Sequence, residues 1–158
     1  MCSNYIYVIG AMSGTSIDGL DLSLVKFDKN HKLIASTYWG GNDYDQLYFI
    51  SIDSRNRIYF AGQTESAHQP TFGAYGNKNK GQIIGRMSND LRTQQFLSVF
   101  GYRDRKPDIS PSAFLVDRCF NIYLSGWGSN TDPRSNPGST YGLPTTQDAI
   151  QKTTDSND

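Results

Sequence analysis

The chain has 158 residues, and its 15 basic side chains balance 15 acidic ones. That is room for one ordinary domain, and the even balance excludes a nucleic-acid or membrane-surface binder held by a basic face. Only 37% of residues are hydrophobic, 13% are aromatic, and 14 of the 15 acids are Asp, Glu65 being the exception; such a composition suits strands and turns and excludes a helical bundle.

From the N-terminus, Met1 to Asn4 has neither the basic stretch nor the apolar core of a secretory leader. No apolar run approaches the roughly 20 residues of a membrane helix. The reading at this point is a cytoplasmic chain or one whose true start lies upstream. Nine short strands are then predicted: Ile6 to Gly10, Leu24 to Asp28, Ala35 to Gly40, Phe49 to Asp53, Ile58 to Gly62, Ile83 to Ser88, Phe96 to Gly101, Ala113 to Asp117 and Ile122 to Gly126. Each is a β-branched or aromatic run bounded by Asn, Asp or Gly. The polar segment Thr146 to Asp158 is expected to be poorly ordered.

These strands repeat. Ile6-Tyr7-Val8-Ile9-Gly10, Ile58-Tyr59-Phe60-Ala61-Gly62 and Ile122-Tyr123-Leu124-Ser125-Gly126 share one signature, with glycines 52 and 64 residues apart. The second and third copies follow a matching strand and turn, ending at Asp53 and Asp117. Leu24 to Gly40 and Ile83 to Gly101 form a second repeated pair, with Gly40 and Gly101 61 residues apart. Pro70-Thr71 and Pro144-Thr145 recur in the segments that follow the hairpins. A period of about 60 residues thus holds four strands, A to D, which is the content of one propeller blade. The order is B, C, D, then A to D, then A and B. The predicted fold class is all-β, of four-stranded antiparallel meander blades in an incomplete β-propeller of about two and a quarter blades. Tyr59 and Tyr123 are predicted to fill the space between stacked sheets, and Gly62 and Gly126 to mark bends or close approaches.

Leu33 to Gly41, Asp43-Tyr44-Asp45 and Ile58 to Thr64 resemble bacterial β-propeller repeats of the SBBP type. Pro107 to Asp117, continuing Asn121 to Gly128, is similar to the versions in gliding-motility-associated surface proteins. The resemblance covers residues 32–158. It implies a secreted or surface-attached adhesion or scaffold module, exported through the type nine secretion system, with protein or glycan partners, no catalytic residues and no cofactor.

Residues 8–21 differ in kind. Gly14-Thr15-Ser16-Ile17-Asp18-Gly19-Leu20-Asp21 resembles the N-terminal phosphate-binding signature of anhydro-N-acetylmuramic acid kinase, an enzyme of cell-wall recycling. That resemblance implies backbone N–H groups at Gly14 and Gly19 on the ATP phosphates, hydroxyls of Thr15 and Ser16 beside them, and Asp18 or Asp21 near Mg²⁺. The cofactors would be ATP and Mg²⁺ and the location cytoplasmic. No second phosphate loop, adenosine pocket or catalytic base follows residue 30, and phosphoryl transfer needs groups from several segments. The domain reading is therefore a kinase-like strand-turn-strand or partial blade over 1–30, a propeller repeat over 31–101 and a partial repeat over 102–158. The preferred function is a non-enzymatic structural or interaction fragment of a surface protein, with the kinase as alternative.

Other candidates read as structural. Cys2 and Cys119 lack metal-ligand spacing and are too few for a disulfide framework. His31 and His68 are expected on the surface, without catalytic or metal partners. Asp43, Asp45 and Asp132 are expected in turns rather than in a calcium loop, and Arg103, Arg105 and Lys106 in a solvated loop.

Overall fold

A computed structural model of the chain describes residues 5–11, 22–128, 140 and 142–154. Cys2, Gly14 to Asp21 and Asp132 lie outside the described residues. Among the described residues, all regular structure is strand: β1 (Tyr5–Ala11), β2 (Leu22–Asp28), β3 (Leu33–Trp39), β4 (Asp45–Ile52), β5 (Ile58–Thr64), β6 (Lys80–Met87), β7 (Gln94–Asp104), β8 (Ser110–Val116) and β9 (Ile122–Trp127). They form three open antiparallel meanders, β1-β2-β3, β4-β5-β6-β7 and β8-β9. These are called the first, middle and last sheets. Among the described residues only the middle sheet has four strands. The turn between β2 and β3 joins strands of one sheet, so the 30/31 boundary falls inside the first sheet.

One turn type links β2 to β3, β4 to β5 and β8 to β9, and it uses three of the chain's 14 Asp residues. Asp28, Asp53 and Asp117 each accept two backbone N–H groups on Oδ1, from Asn30 and Lys32, Arg55 and Arg57, and Cys119 and Asn121. Each also closes the turn with a backbone pair, and the fourth residue takes a left-handed φ of 62° at His31, 58° at Asn56 and 69° at Phe120. The short carboxylate replaces a strand partner for donors that the turn leaves free. Leu91, φ 60°, occupies the same place after Ser88. Cys119, in one of these turns, is exposed and free.

The middle sheet is covered on both faces. Alternation along β5 sends Ile58 and Phe60 to its back, where they join Ile83, Leu97 and Val99 in a core with Leu24 and Trp39 of the first sheet. Tyr59 and Ala61 point to the front, the face on which Phe49 stacks against Phe114 of the last sheet with ring centroids 6.5 Å apart. Every residue of β5 is buried as a result. Tyr59 fills the space between sheets as predicted, but its counterpart Tyr123 does not: it is 55% exposed, because no sheet lies in front of the last one among the described residues. A Cβ on Gly62 would run into the Gln46 carbonyl, and one on Gly126 would lie 2.7 Å from that of Ser110, so both glycines mark close backbone approaches. Beyond residue 142 the chain makes turns at 147–148 and no strand up to 154, with Ala149 N–H donating to Thr146 O.

Candidate functional site

The densest polar cluster lies where the first sheet passes into the middle one. The chain leaves β3 at Trp39, turns through Gly40 at φ +148°, and enters β4 at Asp45. A Cβ at Gly40 would sit 2.9 Å from Asp45 Oδ2, so the turn needs glycine both for its φ and for its space. The Asp45 side chain is fully buried. Its Oδ2 accepts Gly41 N–H at 2.6 Å and Ser66 Oγ–H at 2.8 Å, and its Oδ1 accepts Thr64 Oγ1–H at 2.5 Å with His68 Nε2 at 3.3 Å. Thr64 ends β5 and His68 follows in the β5–β6 loop, so one carboxylate ties the end of the first sheet to the top of the middle one. Ser66 Oγ also receives Asp43 N–H at 2.9 Å.

Burial by itself would raise the Asp45 pKa. The hydrogen bonds from His68, Thr64, Gly41 and Ser66 outweigh it and hold the carboxyl below its ordinary value of 3.8. Because the folded value lies below the unfolded one, this contribution to stability is present above the unfolded pKa and is lost as pH falls through the folded pKa. We expect the wild-type melting temperature to fall more steeply from about pH 5 to about pH 2 than that of Asp45→Asn, which has no carboxyl to titrate at this position. Parallel slopes in a pH series of thermal melts would remove Asp45 from the account.

The cluster brings together Asp45, Ser66 and His68, yet not as a charge-relay triad. In a triad the serine bonds the histidine and the histidine bonds the acid. Here serine and histidine both converge on the acid, whose two oxygens take four partners. His68 was expected on the surface. Instead its side chain is only 15% exposed and stacks on Trp39 with centroids 4.8 Å apart and planes 23° from parallel. The opposite pull is tertiary: the β5–β6 loop folds back over the end of β3, which a polar local sequence does not reveal. Trp39 is fixed further by its Nε1–H donating to Gln94 Oε1 at 2.7 Å.

A cleft of about 450 Å³ opens beside this cluster, lined by Tyr38, Trp39, His68, Gln69, Gln94 and Leu97. A second, of about 610 Å³, lies one repeat later, lined by residues including Tyr102, Gly142, Leu143 and Thr145. Both combine the end of a D strand with the segment following the next B strand. The clasp itself also recurs. Asp108, fully buried, accepts Tyr102 N–H on Oδ2 at 2.7 Å just after Gly101, φ +128°, whose Cβ would strike that same oxygen. Asp108 Oδ1 takes Arg103 Nε–H at 2.9 Å. Behind it, Gln63 and Gln82 on the front of the middle sheet both donate to Ile109 O, at 2.7 and 2.9 Å, and draw the last sheet in.

The basic cluster is likewise not merely solvated. Arg103 pairs with buried Asp108, Arg105 with Asp43, and Lys106 with Glu65 at 3.2 Å. Arg105 Nε also donates to Glu65 O at 2.6 Å. These contacts close the loop after β7 onto the loops before β4 and after β5. Sequence reasoning placed Asp43 and Asp45 in turn chemistry, which holds for Asp45 through Gly41, but missed Thr64, Ser66 and Asp108. The readable signal was the recurring glycine followed by Asp, Gly40 to Asp45 and Gly101 to Asp108. No family model matches the chain, and no curated protein matches it significantly.

Proposed function

We propose that the chain is a run of propeller-type blades acting as a non-enzymatic structural or interaction module of a secreted or surface-attached bacterial protein. The observation that carries this reading is the recurring clasp, in which a D-strand glycine is followed by an N–H bonded to the buried Asp that leads the next sheet's A strand. Such a clasp sets the angle between consecutive sheets, the quantity that decides whether stacked sheets curve around an axis. The saturated Asp45 carboxylate supports a structural role for the polar cluster. The two clefts, each with aromatic and amide side chains in its wall, suit protein or glycan partners.

The kinase alternative rests on Gly14 to Asp21, and Mg-ATP separates the two readings. A ligand present at about a hundred times its Kd adds about 2.7 kcal/mol to the folded state, which raises the melting temperature of a chain of this size by roughly 5–10 °C. The module reading expects no shift with saturating Mg-ATP in a thermal melt. A rise of that size would transfer the reading to a nucleotide-binding enzyme.

A further inference from the structure

The two sheet contacts share one polarity. The first sheet sets Leu24 and Trp39 against the back of the middle sheet, and the middle sheet sets Phe49 on its front against Phe114 of the last. By repeat position Leu24 and Trp39 are front residues, matching Ile84 and Phe100, while Phe114 is a back residue, matching Ile50. Front therefore meets back both times. Among the described residues two faces stay open: the front of the last sheet and the back of the first.

Those faces carry apolar side chains where the middle sheet's equivalents are buried. On the front of the last sheet Leu115, Tyr123 and Trp127 are 57%, 55% and 60% exposed, whereas Tyr59, the counterpart of Tyr123, is 2% exposed. On the back of the first sheet Val25 and Phe27 are half-buried and Tyr38 is 71% exposed, whereas Val99, the counterpart of Tyr38, is fully buried. Neither row contains a charged residue: Ala113, Leu115, Tyr123, Ser125 and Trp127 form one, and Ser23, Val25, Phe27, Ser36 and Tyr38 the other. The charge at the edge of the front row, Asp117, accepts Tyr123 O–H at 3.4 Å and keeps Cys119 and Asn121 as partners, so neither row buries an unpartnered ion. The chain as a whole has no net charge to oppose association.

We propose that these two faces bind each other between copies of this chain, the front of one copy's last sheet on the back of the next copy's first sheet. The contact continues, between molecules, the one made twice within each. Two different patches are used, so the interface is heterologous and grows into a closed ring or a filament, not a two-fold dimer. The inference rests on the stacking of the described sheets and not on the surface-protein reading. A monomer would leave that reading standing, and a Mg-ATP shift would leave this one standing.

The test is sedimentation velocity on the full chain from low to high micromolar concentration, with Tyr38→Asp and Tyr123→Asp alone and mixed. Wild type is expected to gain mass with concentration. Each variant, with one end blocked, is expected to stay monomeric, and the equimolar mixture to form a dimer and stop there, since each variant supplies the face the other lacks. Both rings are more than half exposed, so both variants should keep the wild-type melting temperature; Ser36→Asp and Leu115→Asp replace them should either unfold. A wild-type monomer at every concentration, a single variant that self-associates, or a mixture that stays monomeric would overturn the proposal.

Discussion

Asp45→Ala is expected to lower stability by about 3 kcal/mol, measured as a shift in the urea unfolding midpoint at constant slope. The substitution strands Gly41 N–H, Thr64 Oγ1–H and Ser66 Oγ–H, which all converge on the carboxylate. Hydrogen bonds to a charged acceptor are stronger than neutral ones, and a buried donor left without a partner loses its hydration as well. Asp45→Asn keeps the shape but turns an NH₂ toward donors, so about 2 kcal/mol is expected for it. For a chain of this size the alanine variant should melt roughly 6–12 °C lower. A loss below about 1 kcal/mol would mean the cluster reorganises around water and does not hold the two sheets in register.

Gly62→Ala should cost at least about 3 kcal/mol, at the upper end for overpacking, because the methyl group meets backbone and not a movable side chain. Its Cβ would overlap the Gln46 carbonyl oxygen and crowd the Leu47 Cα, 2.9 Å away, where β4 is bulged against β5. Relief requires β4 to move away from β5, which loosens the strand that touches both neighbouring sheets. Gly73→Ala is the control: nothing lies within 4 Å of its Cβ position, so only the strain of φ +79° remains, about 1 kcal/mol. Equal melting temperatures for the two variants would show that the close approach at Gly62 relaxes freely.

The strand plan was legible because its signals are local. Alternation in Ile58-Tyr59-Phe60-Ala61-Gly62 and the Asp that opens each turn are written within a few residues, and the repeat multiplies them. The three-four-two grouping of the sheets follows from that period. What was not legible depends on which sheet covers which. Tyr59 and Tyr123 stand in equivalent places, yet one is buried and the other open, since burial is decided by a neighbouring sheet and not by the strand. His68 is the same lesson at the polar cluster: its ring is held by Trp39, 29 residues earlier, and by Asp45, in contacts that no local pattern records. The ion pairs of Arg103, Arg105 and Lys106 join three loops and are equally invisible one segment at a time.

The passage from D strand to A strand is short in both places, five residues from Gly40 to Asp45 and seven from Gly101 to Asp108. By contrast the B-to-C connections span 10 residues at 12–21 and 15 at 65–79. The geometry between sheets is thus set by a few residues around one carboxylate, and the start of the 65–79 connection shares that duty through Ser66 and His68. A repeat built this way can vary its 65–79 connection beyond His68, and with Gln69 part of its cleft wall, without altering the pitch at which the next sheet is laid down.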